Sequence, residues 1–429
     1  MNYNQKRRIN QVGEGTLIVG VDIAKSKNVA RAQNFRGVEY GHAIKFVNRE
    51  FDFERFKRWM SDIKADTNKD EIIIGLEPTG HYWLNFFKYM IASGYKVVTV
   101  NPHHVKKSKE LDDNNPTKCD KKDARVIAQL LKDGRYSEPN LPQGVYADLR
   151  VAMNHRRRLN KDFSRVKNQI IKWLDMYFPE FNDVFNSFEG KAALSTLKHF
   201  PLSSQVYEKT PQEIVNTWRE DGIKRGVGLK KARKLLKAAE SSVGLVAGTQ
   251  MALEEIKHLL ERYHLIKSQL SGLKEKIEKF LEEIPGAQKM LTVPGIGSLT
   301  VAGFYSECGK LTDYEHPKQI IKLAGLNLKE HSSGKHKGET TITKRGRPNL
   351  RALLFRASIP LVRHNDEFRQ IHNYYTTRPK NPLAKKQSLI AICCKLIKIL
   401  FALGTKEVEY DGDKLLNDIE RPGEYRKTA

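Results

Sequence analysis

Apolar positions in the first third of the chain alternate, then change period. In TLIVGVDIAKSK, Leu17, Val19 and Val21 recur every second residue, the spacing of a strand, and the run ends in Asp22. NVARAQN, the turn residues FRG and VEYGHAIKF follow as a hairpin-like region. Residues 51–66, FDFERFKRWMSDIKAD, carry helical spacing. EIIIGLEP is a short apolar run, the mark of a buried strand, and it ends in Glu77. A helix around HYWLNFFKYMIASG closes on Gly94 as a C-cap, and YKVVTVNP is a further strand that stops at Pro102. Mixed strands followed by alternating strand and helix predict an α/β layer fold over residues 15–145.

A different period rules the middle, residues 146–285. From Leu149 a helix runs through HRRRLNKDFSRVKNQIIKWLDMYF, with Phe163, Val166, Ile170, Trp173 and Tyr177 at steps of three and four. In a second helix Ile256, Leu259, Tyr263, Ile266, Leu270, Leu273, Ile277, Phe280 and Ile284 keep those steps over four heptads, the signature of a coiled coil. The partner of that stripe is either the first helix or a second copy of the chain. A second copy would make the chain a homo-oligomer, a dimer or tetramer. The insert at 180–250 includes KRGVGLKKARKLLKAA, which reads as a loop and a solvated basic helix, or as a phosphate contact. Residues 286–404 are mainly helical. Within them Pro294-Gly295-Ile296-Gly297 resembles a helix-hairpin-helix turn, where glycines let backbone approach phosphate. Residues 405–429 are weakly periodic and read as a tail.

Charge narrows the class of partner. The 429 residues carry a net charge of +25, which points to a polyanion. Residues 329–398 hold sixteen Lys/Arg against four Asp/Glu, so about half of the surplus lies in that stretch. It is the expected phosphate-binding face, with Gly295, Gly297, Lys335, Lys344, Arg345, Arg347 and Arg351 as candidate contacts. No apolar stretch reaches the roughly 18–20 residues of a membrane span. Cys119, Cys308, Cys393 and Cys394 show no metal-ligand spacing, and a reducing cytoplasm, beside the nucleoid, fits them.

Four acids stand at element ends: Asp22 and Glu77 where strands stop, Asp120 and Asp123 where a helix starts in KCDKKDARVIAQLL. Residues three apart share a helix face. Carboxylates there either cap free N–H groups or gather for a divalent cation, which takes oxygen ligands. Ligands collect at strand ends in α/β sheets. Four carboxylates suffice for two magnesium ions at a phosphorus centre.

VGVDIAKSK, GLEPTGHYW, VNPHHVKKSK and KCDKKDARVIAQLL resemble, in order, the motifs of the DEDD transposases of insertion-sequence family 110. The resemblance implies a RuvC-like, RNase H-type N-terminal domain in which Asp22, Glu77, Asp120 and Asp123 bind magnesium, with manganese as a substitute. Cys119 stands where the family has Thr. Lys25 and Lys118 flank the acids as phosphate contacts or solvated lysines, and His81 and Trp83 read as packing residues. From PGIG through GLNLKEHSSGK to ITKRGRPNLR the chain also resembles the family's C-terminal transposase domain. That implies a nucleophilic serine before Gly334, Ser333 ahead of Ser332, although Ser beside Gly by itself reads as a turn. The resemblance further implies a coiled-coil region between the two domains, action on donor and target DNA, and a bridge RNA as guide. Two rivals stand beside this reading: a RuvC-like junction nuclease that needs no serine, and a non-catalytic nucleic-acid scaffold.

Overall fold

The computed structural model describes residues 3–112, 120–139, 141–329, 332–333, 336–337 and 340–420. Lys118, Cys119, Gly334 and Lys335 lie outside the described residues, and of Asp120, Ser332 and Ser333 only the backbone element is described. The chain divides into two compact units, Met1–Asn140 and Leu141–Ala429.

The first unit is a mixed sheet between helices. Its elements are α1 (Tyr3–Asn10), β1 (Thr16–Asp22), β2 (Asn28–Gln33), β3 (Glu39–Phe46), α2 (Glu50–Asp66), β4 (Glu71–Leu76), α3 (Trp83–Ala92), β5 (Lys96–Val100), α4 (Pro102–Asp112), α5 (Asp120–Lys132) and β6 (Tyr136–Ser137). The strand order is β3-β2-β1-β4-β5-β6. β1, β2 and β3 form an antiparallel meander, β4 and β5 continue parallel to β1, and β6 closes the edge antiparallel to β5. This arrangement is consistent with the RNase H-like fold that the sequence resemblance implies. On α2, Phe53, Phe56, Met60 and Ile63 recur every three or four residues and are buried. Phe56 stacks on Phe46 of β3 at 4.7 Å, with Phe86 of α3 at 5.5 Å from both. The α5 side of the sheet is aliphatic: Ile18, Ile73 and Val98 pack on Val126, Ile127, Leu130 and Leu131.

The second unit starts with α6 (Val145–Tyr177) and returns along α12 (Thr249–Glu282). At 33 and 34 residues, each helix is about 50 Å long. They run antiparallel. The Trp173 indole N–H donates to the Ala252 carbonyl at 2.9 Å near one end, and Phe163 stacks on Tyr263 at 5.1 Å further along. The heptad stripe is therefore spent inside the chain, with Ile256, Leu259, Tyr263, Ile266 and Ile277 buried. Periodicity fixes which face is apolar but not what covers it; here Leu159, Val166 and Ile170 of α6 share a core with the buried positions of the stripe. Between the two long helices lie α7 (Phe181–Val184), α8 (Lys191–His199), α9 (Ser203–Tyr207), α10 (Pro211–Glu220) and α11 (Leu229–Glu240). They share a core with the far half of the hairpin, built on Trp173, Phe181, Trp218 and Leu235.

The rest of the unit comprises α13 (Ala287–Leu291), α14 (Ser298–Cys308), a 3-10 turn at Leu311–Asp313, α15 (Pro317–Leu323), β7 (Leu328–Lys329), β8 (Ser332–Ser333), β9 (His336–Lys337), β10 (Thr341–Ile342), α16 (Pro348–His364), α17 (Asp366–Thr377), α18 (Lys385–Lys406) and α19 (Gly412–Glu420). Leu149 of α6 and Ile277 and Leu281 of α12 join Phe304, Leu350, Phe368 and Leu396 in one core. The boundary expected near residue 285 is thus crossed by packing, because the base of the hairpin is part of the C-terminal core. The segment expected to be a tail also takes part, since Leu415 of α19 is buried in that core. One expectation is corrected. By length and composition α18 is long and apolar enough to cross a membrane. Lys395 and Lys398 interrupt its apolar run and hid this in the sequence. Ile392, Cys393, Leu396, Ile397 and Leu400 are all buried, as befits the central helix of a folded core.

Candidate active site

The β1–β4 register sets the positions of two of the four acids. Val21 lies opposite Leu76 in a parallel pair, so Asp22, the last residue of β1, and Glu77, the residue after β4, come at the same end of neighbouring strands. Side chains alternate between faces, so Asp22 follows Ile18 and Gly20 on the side that α5 covers, and Glu77 comes directly after the strand that carries Ile73 and Gly75 on that side. Each acid is preceded by glycine at the second position, Gly20-Val21-Asp22 and Gly75-Leu76-Glu77. A Cβ at Gly20 would lie 2.1 Å from the Ala124 carbonyl oxygen and 2.6 Å from the Ala128 nitrogen, and one at Gly75 would lie 2.2 Å from a Leu131 methyl. The missing side chains let α5 settle onto the strands.

The direction of α5 follows from its far end. Lys132 Nζ lies 3.4 Å from where a Gly37 Cβ would be, in the turn between β2 and β3. Gln33 pairs with Ile18 and Asp22 with Val29, so that turn is at the Thr16 end of β1. The start of α5, with Asp120 and Asp123, therefore points toward the Asp22 end. Three of the predicted acids, and the backbone of the fourth, belong to one edge of the sheet.

Local bonds hold this edge in shape. The Thr79 hydroxyl donates to Glu77 Oε1 at 3.3 Å, and its N–H to the Glu77 carbonyl at 2.8 Å. A relay of amides fixes the loop after Asp22. Ala24 N–H donates to Asn28 Oδ1 at 3.1 Å, Asn28 Nδ2 to Asn48 Oδ1 at 2.8 Å, and Asn48 Nδ2 to the Tyr82 carbonyl at 3.1 Å. Asn28 is buried, so its amide needs these partners. Neither asparagine was singled out from the sequence, where an Asn at a strand start looks like any turn residue. Trp83 is buried against Phe87 at 5.5 Å as a packing residue, whereas Lys25 and His81 are exposed.

Among the described residues no three His, Cys, Asp or Glu side chains form a ready metal cluster. Asp123 Oδ2 instead has the Lys109 ammonium of α4 at 2.5 Å. The donor set fits a hard divalent cation, because all four candidates are carboxylates and a positive charge already sits against one of them. Asp22, Glu77, Asp120 and Asp123 are the residues that would hold it.

In the second unit β7 pairs with β10 and β8 with β9, and Ser333 lies opposite His336. Lys344 and Arg345, which follow this hairpin, are exposed. Arg347 and Arg351 do structural work. Arg347 donates to the Glu307 carbonyl and pairs with its carboxylate at 3.7 Å, while Arg351 Nη1 donates to the carbonyls of Ala324 at 2.8 Å and Lys344 at 3.3 Å. The expected glycine turn joins α13 to α14, with Gly295 at φ +94° and the Gly297 carbonyl accepting from Thr300 N at 2.8 Å. Burial pushes the Cys393 thiol up to about 12 and the Cys308 thiol higher still, so neither is a thiolate nucleophile near neutral pH.

Comparison with known proteins agrees in both units. A DEDD transposase model of the IS110 type matches residues 19–179, and the transposase IS116/IS110/IS902 family model matches residues 287–373. The chain is 22% identical over 393 residues to an uncharacterized 44.8 kDa protein of insertion element IS116 from Streptomyces clavuligerus, covering 90% of this chain and 94% of that one. It is 25% identical over 201 residues to the transposase for insertion sequence element IS1111A of Coxiella burnetii, 46% of this chain and 54% of the relative. It is 22% identical over 403 residues to the pilin gene-inverting protein of Moraxella bovis, 92% and 97% of the two chains. With the family's motifs in order at the sheet edge and its second domain model on the helical C-terminal part, the chain belongs to the IS110 family of DEDD transposases.

Proposed function

We propose that this DNA transposase cuts and rejoins strands with Asp22, Glu77, Asp120 and Asp123 around two magnesium ions and with Ser333, or failing it Ser332, as nucleophile. The observation that carries the reading is that Asp22 and Glu77 stand at the same end of two neighbouring parallel strands, under the helix that begins with the other two acids. Divalent ions there would neutralise charge that builds on the phosphoryl oxygens. The serine Oγ attacks phosphorus, the Oγ–P bond forms as one ester P–O bond breaks, and the departing oxygen leaves as a hydroxyl with the serine's proton. A hydroxyl of the incoming strand then attacks the same phosphorus and releases the serine, so the phosphodiester count is unchanged. Lys335, Lys344 and Arg345 contact backbone phosphates, and a bridge RNA carried by the element chooses the sites. The net charge of +25 suits a protein that holds both polymers. Two DNA partners call for at least two protomers, joined by a surface other than the α12 stripe. The setting is the cytoplasm, beside the nucleoid.

Trapping tests this. Incubation with donor and target DNA should yield a DNA–protein adduct that survives denaturant and maps to Ser333 or Ser332. Asp22→Asn should abolish it. If Ser333→Ala and Ser332→Ala together leave metal-dependent cutting and joining intact, the serine role is wrong and a junction nuclease is the better description.

A further inference from the structure

Where α6, α14 and α16 converge there is a cavity of about 430 Å³, within the range of a small bound group. Its floor is α14, where Gly303 lets Leu353 and Met153 close in: a Cβ there would lie 2.8 and 3.3 Å from them. Thr300 lines the floor, and Gly295 of the glycine turn opens into the same space. Arg156 and Arg157 come from α6 and Arg356 from α16. Among the described residues neither the Arg156 nor the Arg356 guanidinium makes an ion pair or hydrogen bond. Glu307, the one carboxylate in the lining, is engaged by Arg347.

Arg156 is half-buried and Arg356 exposed, so like charge gathers where the cleft meets solvent. Burial and then Arg356 hold the Arg156 pKa below its ordinary value. Along the same helix, burial and then Arg347 do so for Arg150. Two like-charged pairs thus run between α6 and the α16 segment, Arg150 with Arg347 and Arg156 with Arg356, and Glu307 acts on the first of them. An anion between Arg156 and Arg356 would relieve the repulsion and satisfy guanidinium donors that suit phosphate oxygens. No lining side chain is aromatic, so the cavity offers a base nothing to stack on.

We propose that this cleft seats one phosphodiester unit of a nucleic-acid strand, its phosphate clamped between Arg156 and Arg356 beside the Gly295 turn. The proposal rests on the transposase reading and adds a strand-holding site built from residues other than the acids and serines. Contact is with backbone, so binding here is independent of sequence.

The test uses the full chain and fluorescent oligonucleotides of single-stranded DNA, duplex DNA and single-stranded RNA. Arg156→Gln/Arg356→Gln should weaken binding to at least one of them about tenfold and reduce its salt slope by about one to two. Whichever polymer loses affinity identifies the strand. The melting temperature should hold or rise, because a repulsion has been removed. Lys276→Gln/Lys279→Gln, which removes equal charge from exposed positions of α12, should leave affinity near wild type. Unchanged affinity and slope, an equal loss in the α12 control, or a fall in melting temperature would each overturn the proposal. A wild-type protein that yields no DNA adduct, while the arginine variant still loses binding, would sink the serine reading and leave the cleft standing.

Discussion

The Lys109 ammonium lies 2.5 Å from Asp123 Oδ2, so a lysine of α4 occupies one of the carboxylates proposed for metal. Both side chains are partly exposed, and such pairs contribute only about 0–1 kcal/mol. Lys109→Gln should therefore change the melting temperature of the metal-free protein little. A divalent ion would no longer compete with the ammonium, so magnesium and manganese should stabilise the variant at lower concentration than wild type. Asp123→Asn should abolish the metal-dependent rise. Melting curves across a magnesium series read both, and identical midpoints in wild type and Lys109→Gln would show that the lysine does not compete.

The glycines under α5 give an asymmetric expectation. At Gly20 a methyl group would meet the backbone of Ala124, which cannot turn aside; at Gly75 it would meet the Leu131 side chain, which can. Gly20→Ala should cost at least about 1–3 kcal/mol, the range for overpacked cores, and Gly75→Ala less. By shifting the start of α5, Gly20→Ala should also weaken the magnesium response. Urea denaturation with and without the ion checks the order, and equal costs would mean that the helix is free to lift.

Much of this edge was legible because its signals are local. Alternation marked β1, a short apolar run marked β4, and each ended in an acid. The register that aligns Asp22 with Glu77 joins segments 55 residues apart, and no local pattern encodes it. Lys109 was hidden among the other lysines of KKSK. Arg156 and Arg356 were hidden by distance along the chain and by like charge, which gives no reason to pair them until a cavity is seen. The heptads showed an apolar face on α12 but not that α6 would cover it.

That coverage sets an expectation for the hairpin. Leu259 is buried in the core shared with α6. Leu259→Ala should cost about 2–5 kcal/mol, as such truncations do, without changing the assembly state. Light scattering and thermal melting on the same sample separate the two effects. A fall in mass at unchanged melting temperature would restore the stripe as a contact between copies.

Glu189 ties the same hairpin electrostatically. Its carboxylate accepts from Lys167 Nζ of α6 at 2.8 Å and from the Tyr263 hydroxyl of α12 at 3.1 Å. The Lys167 bond, supported by Tyr263, holds its pKa below the ordinary glutamate value, while burial and then Glu189 push Tyr263 up to about 12. A depressed acid stabilises the fold above its unfolded value of about 4.3 and loses that contribution as pH falls through the lower folded value. A raised phenol contributes below its unfolded value of about 10 and loses that as pH climbs toward the folded one. Glu189→Gln should flatten the acid limb of the stability profile, and Tyr263→Phe the alkaline limb. Denaturant midpoints measured from pH 3 to 11 would show it, and parallel wild-type and Glu189→Gln curves below pH 5 would mean that the Lys167 pair is screened by solvent and does not hold the helices together.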